Sequence, residues 1–220
     1  MRMFVFSMRT FDELPCFEKY CPKYGIEYDY TTETPCMDNL EMAKGYDVVN
    51  VITTVFDQPM LKKLHDMGVK CIATRTIGYD HIDVDYAKSL GMTVIVTDHH
   101  EIPYEEQEDG SIKTILPPAD AIVNPKQEGC RYPFKGICGA MVAYKLICGL
   151  YEKKGFPKEA QEEFIEFAAI ATVGDVMDLQ DENRIVVKEG LRRMKNTKNY
   201  GLRALIRVNH LEEAELTGYH

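Results

Sequence analysis

No stretch of about 18 apolar residues occurs in the chain, so no membrane-spanning helix is encoded. The opening MRMFVFSMRTFDE lacks a long apolar centre followed by a small-residue cleavage site, so no secretory leader is expected. None of the seven cysteines forms a CxxC pair. That spacing argues against a zinc ribbon or a disulfide framework and for reduced thiols in a cytoplasm. No GxGxxG follows any apolar run, so the pyrophosphate cradle of a dinucleotide site is missing. Internal repeats and low-complexity tracts are absent too. Basic residues are in the minority: 26 Lys and Arg stand against 35 Asp and Glu, a net charge of −9. A general polyanion binder is thereby excluded, because the far field repels phosphate.

What remains is an ordinary globular composition, 45% hydrophobic and 28% charged over 220 residues, enough for one or two domains with a real core. The first 97 residues alternate strand and helix signals. Strands are expected at Met3–Phe6, Ile26–Tyr30, Asp47–Thr53, Val69–Thr74 and Thr93–Thr97. Helices are expected at Asp12–Tyr24, Asp38–Lys44, Gln58–Met67 and Val84–Leu90, most of them closed by a glycine. Such alternation predicts an α/β fold with a doubly wound, mainly parallel sheet of five or six strands. Right-handed crossovers place the carboxyl ends of these strands on one edge, where ligands meet the loops after Val5, Val51, Thr74 and Val96.

The second half changes character. His99–Pro118 is acidic, polar and proline-bearing and reads as a loop. A brief strand Ala121–Val123 ends in Asn124-Pro125, and Lys126–Pro133 is again a loop. A mostly helical C-terminal segment follows, with helices at Gly136–Lys154, Pro157–Thr172 and Asp181–Met194. In the middle one, Ala160, Phe164, Ile165, Phe167, Ala168 and Ala171 form an apolar stripe at helical spacing.

Two segments carry candidate chemistry. In VIVTDHHE an apolar strand delivers Asp98, His99 and His100 to its carboxyl end. A carboxylate beside imidazoles suits a divalent metal such as Mn²⁺; the alternative is a polar turn with no ligand. In ATVGDVMDL, Asp175 follows a largely apolar helix end; the alternative is a C-terminal turn with solvated acids. A third feature is electrostatic. From Arg184 to Arg207, eight Lys and Arg residues, Arg192 and Arg193 among them, face Glu189 alone, as a binding patch or as a solvated helix face.

From about Tyr86 to His220 the chain resembles the DHH phosphoesterases of the single-strand-specific exonuclease RecJ type. The words that carry the resemblance are YAKSLGMTVIVTDHHEIP, LPPADAIVNPKQEGCRYPFKGICGAMVAYKL and ATVGDVMDL with DENRIVVKEGL. The family uses paired Mn²⁺ (or Mg²⁺) to activate water against a phosphodiester in 5′-to-3′ digestion and DNA repair. By resemblance Asp98, His99 and Asp175 would be metal ligands, and His100 would face the phosphate. Arg192 and Arg193 would then be contacts for a single nucleic-acid strand.

Residues from Met1 to about Met92 instead resemble the D-isomer-specific 2-hydroxyacid dehydrogenases, NAD-dependent oxidoreductases, through IEYDYTTE, MAKGYDVVNV and ATRTIGYDHIDVDYAKSLGM. In that family this segment is most of the substrate domain. The loop Arg75-Thr76-Ile77-Gly78-Tyr79 would lie along a substrate carboxylate, with Arg75, Gly78 and Tyr79 as contacts. The other reading is a plain strand-to-helix connection with Asp83 as the helix cap.

The chain therefore reads as a hybrid: a 1–92 dehydrogenase-like segment and an 86–220 partial RecJ-like domain, joined within a helix-turn-strand phrase both families carry. Each half departs from its family. The aspartate-rich DxDxDG of the RecJ type is absent, and its later lone aspartate falls near Thr76, with Asp80 or Asp83 as nearby substitutes. The chain also stops at His220, where that family continues into a further nucleic-acid-binding domain. The dehydrogenase half lacks the nicotinamide site and the segments that hold the family's acid–base residues. The expectation is an impaired metal-dependent phosphoesterase with weak single-strand binding, no membrane contact and some self-association. The alternatives are a dehydrogenase relative without its cofactor domain and a non-catalytic hybrid.

Overall fold

The computed structural model describes residues 1–75 and 78–218, which divide into two compact units. The first comprises Met1–Val96 with Pro117–Ala121, and the second Thr97–Leu116 with Ile122–His220. All seven cysteines are free thiols, and among the described residues no helix is long and apolar enough to cross a membrane.

In the first unit the strands are β1 (Arg2–Val5), β2 (Glu27–Tyr30), β3 (Val48–Val51) and β4 (Cys71–Thr74). They form a four-stranded sheet in the order β2-β1-β3-β4, with every pairing parallel. Alternation along β1 sends Met3 and Val5 to one face and Phe4 and, just beyond it, Phe6 to the other. Helix α1 (Leu14–Lys23) covers the Met3–Val5 face through Leu14, Phe17 and Cys21. The opposite face takes α2 (Gln58–Asp66) through Met60, Leu61 and Leu64, and α3 (Val84–Ser89) through Ala87. With helices on both faces, the sheet is doubly wound as expected. The segment expected as a helix at Asp38–Lys44 is a single 3₁₀ turn, Leu40–Ala43, held by the burial of Leu40 and Ala43.

The sheet is narrower than the expected five or six strands. Strand β5 (Ile95–Thr97) pairs with β8 (Ala121–Val123) in a separate two-stranded ladder. Apolar, β-branched runs identify strands but not their partners, so these six strands were legible and their pairing was not.

The second unit also corrects the loop reading of His99–Pro118. Within it, β6 (Tyr104–Glu106) and β7 (Ile112–Thr114) form an antiparallel hairpin pairing Glu105 with Lys113. Gly110 turns it at φ +79°, a conformation glycine adopts at no steric cost. Helix α4 (Gly139–Lys154) is followed by a 3₁₀ stretch, Lys158–Phe164, and then α5 (Ile165–Gly174). The expected helix Pro157–Thr172 is therefore half 3₁₀, and no residue of that half is buried to drive closure of regular α turns. Helix α6 (Asp181–Met194) has its expected bounds, and α7 (Tyr200–Val208) is additional. The core joins Ile137, Cys138, Met141 and Val142 to Ala168 and Ala169 of α5 and to Val186, Val187 and Met194 of α6. Gly190 lets α5 and α6 touch: a Cβ there would lie 2.3 Å from Ala169 Cβ.

Candidate metal site

Val96 is buried and anchors β5, and the chain leaves that strand with the Asp98 N–H donating to Val123 O at 3.0 Å. The Asp98 carboxylate folds back over the turn. Its Oδ1 accepts from the His99 N–H (2.7 Å), from the His100 N–H (3.2 Å) and pairs with His100 Nδ1 (2.6 Å). Burial pushes the Asp98 carboxyl up. The His100 ring and the two backbone N–H groups outweigh that, so its pKa lies below the usual carboxylate range. Buried Asn124 closes the turn by donating from Nδ2 to His100 O at 3.0 Å, while its Oδ1 accepts from Lys126 N at 2.9 Å.

His99 points the other way, to the first turn of α4. A Cβ on Gly139 would come within 3.3 Å of its Cδ2, a tight contact that would shift the imidazole by a few tenths of an ångström. Its Nε2 lies 3.7 Å from Asp175 Oδ2, and its ring sits 4.4 Å, centroid to centroid, from that of His100. Asp175 caps the C-terminus of α5, with its N–H on Ala171 O at 2.8 Å. The next residue, Val176, sits at φ +53°. For a β-branched side chain that conformation is strained by about 1–3 kcal/mol.

Asp98, His99, His100 and Asp175 are thus neighbours in one unit, as two contacts: Asp98 with His100, and His99 with Asp175. Among the described residues no group of three or more His, Cys, Asp or Glu is arranged to hold a metal ion. In donor chemistry, two carboxylates and an imidazole suit one hard or borderline dication, whose charge they would neutralise. They do not carry the negative charge that two adjacent dications require.

The remaining candidates lie elsewhere. Arg75, just after β4, turns inward at 16% side-chain exposure. It donates to both oxygens of Glu13 at 3.2 Å, to Asn50 Oδ1, and to the carbonyls of Phe6 and Ser7 at 3.3 Å. Gly78 is exposed at φ +78°, and the Tyr79 carbonyl accepts from Ile82 N at 2.8 Å. Thr76 and Ile77 lie outside the described residues. Asp83 caps α3 through Tyr86 N at 2.9 Å and also accepts from Gln58, so it is occupied structurally. Arg192 and Arg193 both grip Glu189, and Arg193 reaches Glu162 at 2.8 Å, so their charge is largely spent within the fold. Sequence reasoning missed Asn124 and Gly139 as parts of the site. The Asn-Pro pair ending a strand was a visible signal for the first; nothing marked the second.

Residues 5–102 match the family described as D-isomer specific 2-hydroxyacid dehydrogenase, catalytic domain. Over 95 residues the chain is 33% identical to the aromatic 2-oxoacid reductase of Clostridium sporogenes, covering 43% of this chain and 28% of that one. Over 154 residues it is 37% identical to the single-stranded-DNA-specific exonuclease RecJ of Bacillus subtilis, covering 70% of this chain. The chain spans only 18% of the length of that RecJ. In three dimensions it overlays RecJ of Thermus thermophilus, solved in complex with Mn²⁺, with a TM-score of 0.52. That overlay runs at 23% identity and covers 99% of this chain and 27% of that one, a likeness of fold. The chain is accordingly a hybrid, similar to D-isomer specific 2-hydroxyacid dehydrogenases over residues 5–102 and to RecJ exonucleases over 70% of its length.

Proposed function

We propose that residues 86–220 are a partial, impaired metal-dependent phosphoesterase segment of the DHH/RecJ class, directed at single-stranded nucleic acid, and that residues 1–92 are a dehydrogenase-like scaffold. The supporting observation is the apposition of His99 and Asp175 at 3.7 Å, beside an Asp98 carboxylate fastened to the same turn. Asp98, His99 and Asp175 would hold a single Mn²⁺ or Mg²⁺, leaving His100 to face a phosphate. A cation bound there supplies Lewis acidity and lowers the pKa of a coordinated water. The protein's own part is positional. Asn124 and Val123 hold the Asp98 turn, and Gly139 seats His99. A cytoplasmic location agrees with seven free thiols.

Calorimetry with Mn²⁺ tests this reading. One site is expected for the intact chain, lost in Asp98→Ala; equal heats for the two proteins would defeat it. Hydrolysis of a labelled single strand in Mn²⁺ is expected to be weak. The dehydrogenase alternative rests on the match over residues 5–102, and NADH fluorescence separates it, since only that reading requires quenching.

A further inference from the structure

We propose that the groove between the end of α6 and the outer face of α7 is a docking surface for the sugar-phosphate backbone of a single nucleic-acid strand, with Tyr200 as a stacking platform for one base. The inference deepens the reading above, but it rests on a separate surface. The groove encloses about 1020 Å³ and is lined by Lys195, Lys198, Tyr200, Arg203 and Arg207, with Glu212 as its one carboxylate. All four cations are exposed, and none has an ion pair among the described residues. Arg192 and Arg193, central to the same basic stretch, are neutralised by Glu189 and Glu162, so the available charge lies further along the chain.

The geometry of α7 explains the arrangement. Leu202 and Ile206 turn inward, and Leu202 packs against the core of the second unit. Residues three and four apart share a helix face, so Tyr200, Arg203 and Arg207 make one outward stripe. Asn199 fixes where that stripe begins by accepting from Leu202 N at 2.9 Å. Lys195 and Lys198 lie on the turn leading into the helix and complete the groove wall. Tyr200 is 85% exposed, so its ring face is open for a base to stack on. A row of unpaired cations beside an open aromatic face is the chemistry that binds single strands without reading sequence. A concave wall favours a threaded polymer over a flat anionic bilayer, the other surface such charge would attract. Counterion release makes such a contact steeply salt-dependent, about 0.7 per phosphate neutralised on a log–log plot.

The test is fluorescence anisotropy of a labelled oligothymidylate about 20 nucleotides long, titrated with the full chain in EDTA. Lys195→Glu with Arg203→Glu is expected to weaken binding at least ten-fold and to flatten the salt slope. Tyr200→Ala is expected to cost about five-fold or more. Arg192→Ala with Arg193→Ala should leave affinity within about two-fold, and circular dichroism confirms that each variant is folded. Unchanged affinity in the groove variants, or a preference for anionic phosphatidylserine vesicles over the oligonucleotide, would overturn the inference. Binding without hydrolysis in Mn²⁺ would keep the groove and remove the proposed phosphoesterase reading; hydrolysis with groove variants of unchanged affinity would do the reverse.

Discussion

His99 Nε2 faces Asp175 Oδ2 at 3.7 Å, although one residue follows a strand and the other ends a helix in a distant part of the chain. At that distance no direct hydrogen bond forms, and half of the Asp175 side chain stays open to solvent. The contact depends on two local choices: the glycine that seats His99, and the turn after Asp175 at which Val176 takes a left-handed conformation.

Gly139→Ala should separate stability from cation binding. Gly139 opens α4 with an ordinary helical φ, so alanine suits the backbone and is worth about 0.5–1 kcal/mol of helix stability. The new methyl group would meet His99 Cδ2 at 3.3 Å, tight enough to shift the ring by a few tenths of an ångström and disturb its 3.7 Å approach to Asp175. A melting temperature held or raised, with weakened Mn²⁺ heats, is the expected pair of readouts in scanning and titration calorimetry.

Gly190→Ala should do the opposite. Its Cβ would collide with Ala169 Cβ at 2.3 Å and press on Ile165 O at 3.1 Å. The helices must part, and overpacking of this kind costs about 1–3 kcal/mol. A lower denaturation midpoint, partly restored by adding Ala169→Gly, is expected in urea titrations.

Arg75→Met should destabilise the first unit. The guanidinium is the shared partner of Glu13, Asn50 and two carbonyls where β1, β3 and β4 end. Removing it leaves the half-buried end of that network incomplete, with Glu13 held by Arg9 alone, at a cost of about 1–3 kcal/mol. Arg75→Met with Glu13→Gln should recover part of the loss, as a double-mutant cycle by thermal melting would read out.

Acid should weaken the second unit through Glu189. Arg192 and then Arg193 hydrogen-bond its carboxylate and hold its pKa down to about 2. A depressed carboxyl stabilises the fold above its ordinary value. That contribution is lost as pH falls from about 4.5 towards about 2. Glu189→Gln should flatten this limb of the stability–pH curve. Salt should shrink the difference between the two proteins, because the three side chains lie near the surface.

Much of this was legible in the residue order. Asp181–Met194 has its expected bounds because acids open it, arginines close it, and Val186, Val187 and Met194 share one face. Asp83 is the helix cap that its position before Val84 announced. The hairpin was overlooked because all its residues are exposed, leaving no alternation between buried and exposed faces to reveal it; the Asp109-Gly110 turn was its one signal. Helix α7 was overlooked because cations break its apolar pattern, although Asn199 and the Leu202–Ile206 spacing mark it.

The order of residues determined the parallel α/β start, the helical finish and the placing of Asp98, His99 and His100 beyond one strand. These follow from short-range sterics and from the period of apolar residues. Tertiary structure decided which charges remain available. Among the described residues it turned Arg75 inward, brought Glu162 to Arg193 and Asp175 to His99, and left Lys195, Lys198, Arg203 and Arg207 without ion pairs. The pairs of Glu189 with Arg192 and Arg193 follow from helical spacing, but the others depend on distances through space, set only when helices and strands pack.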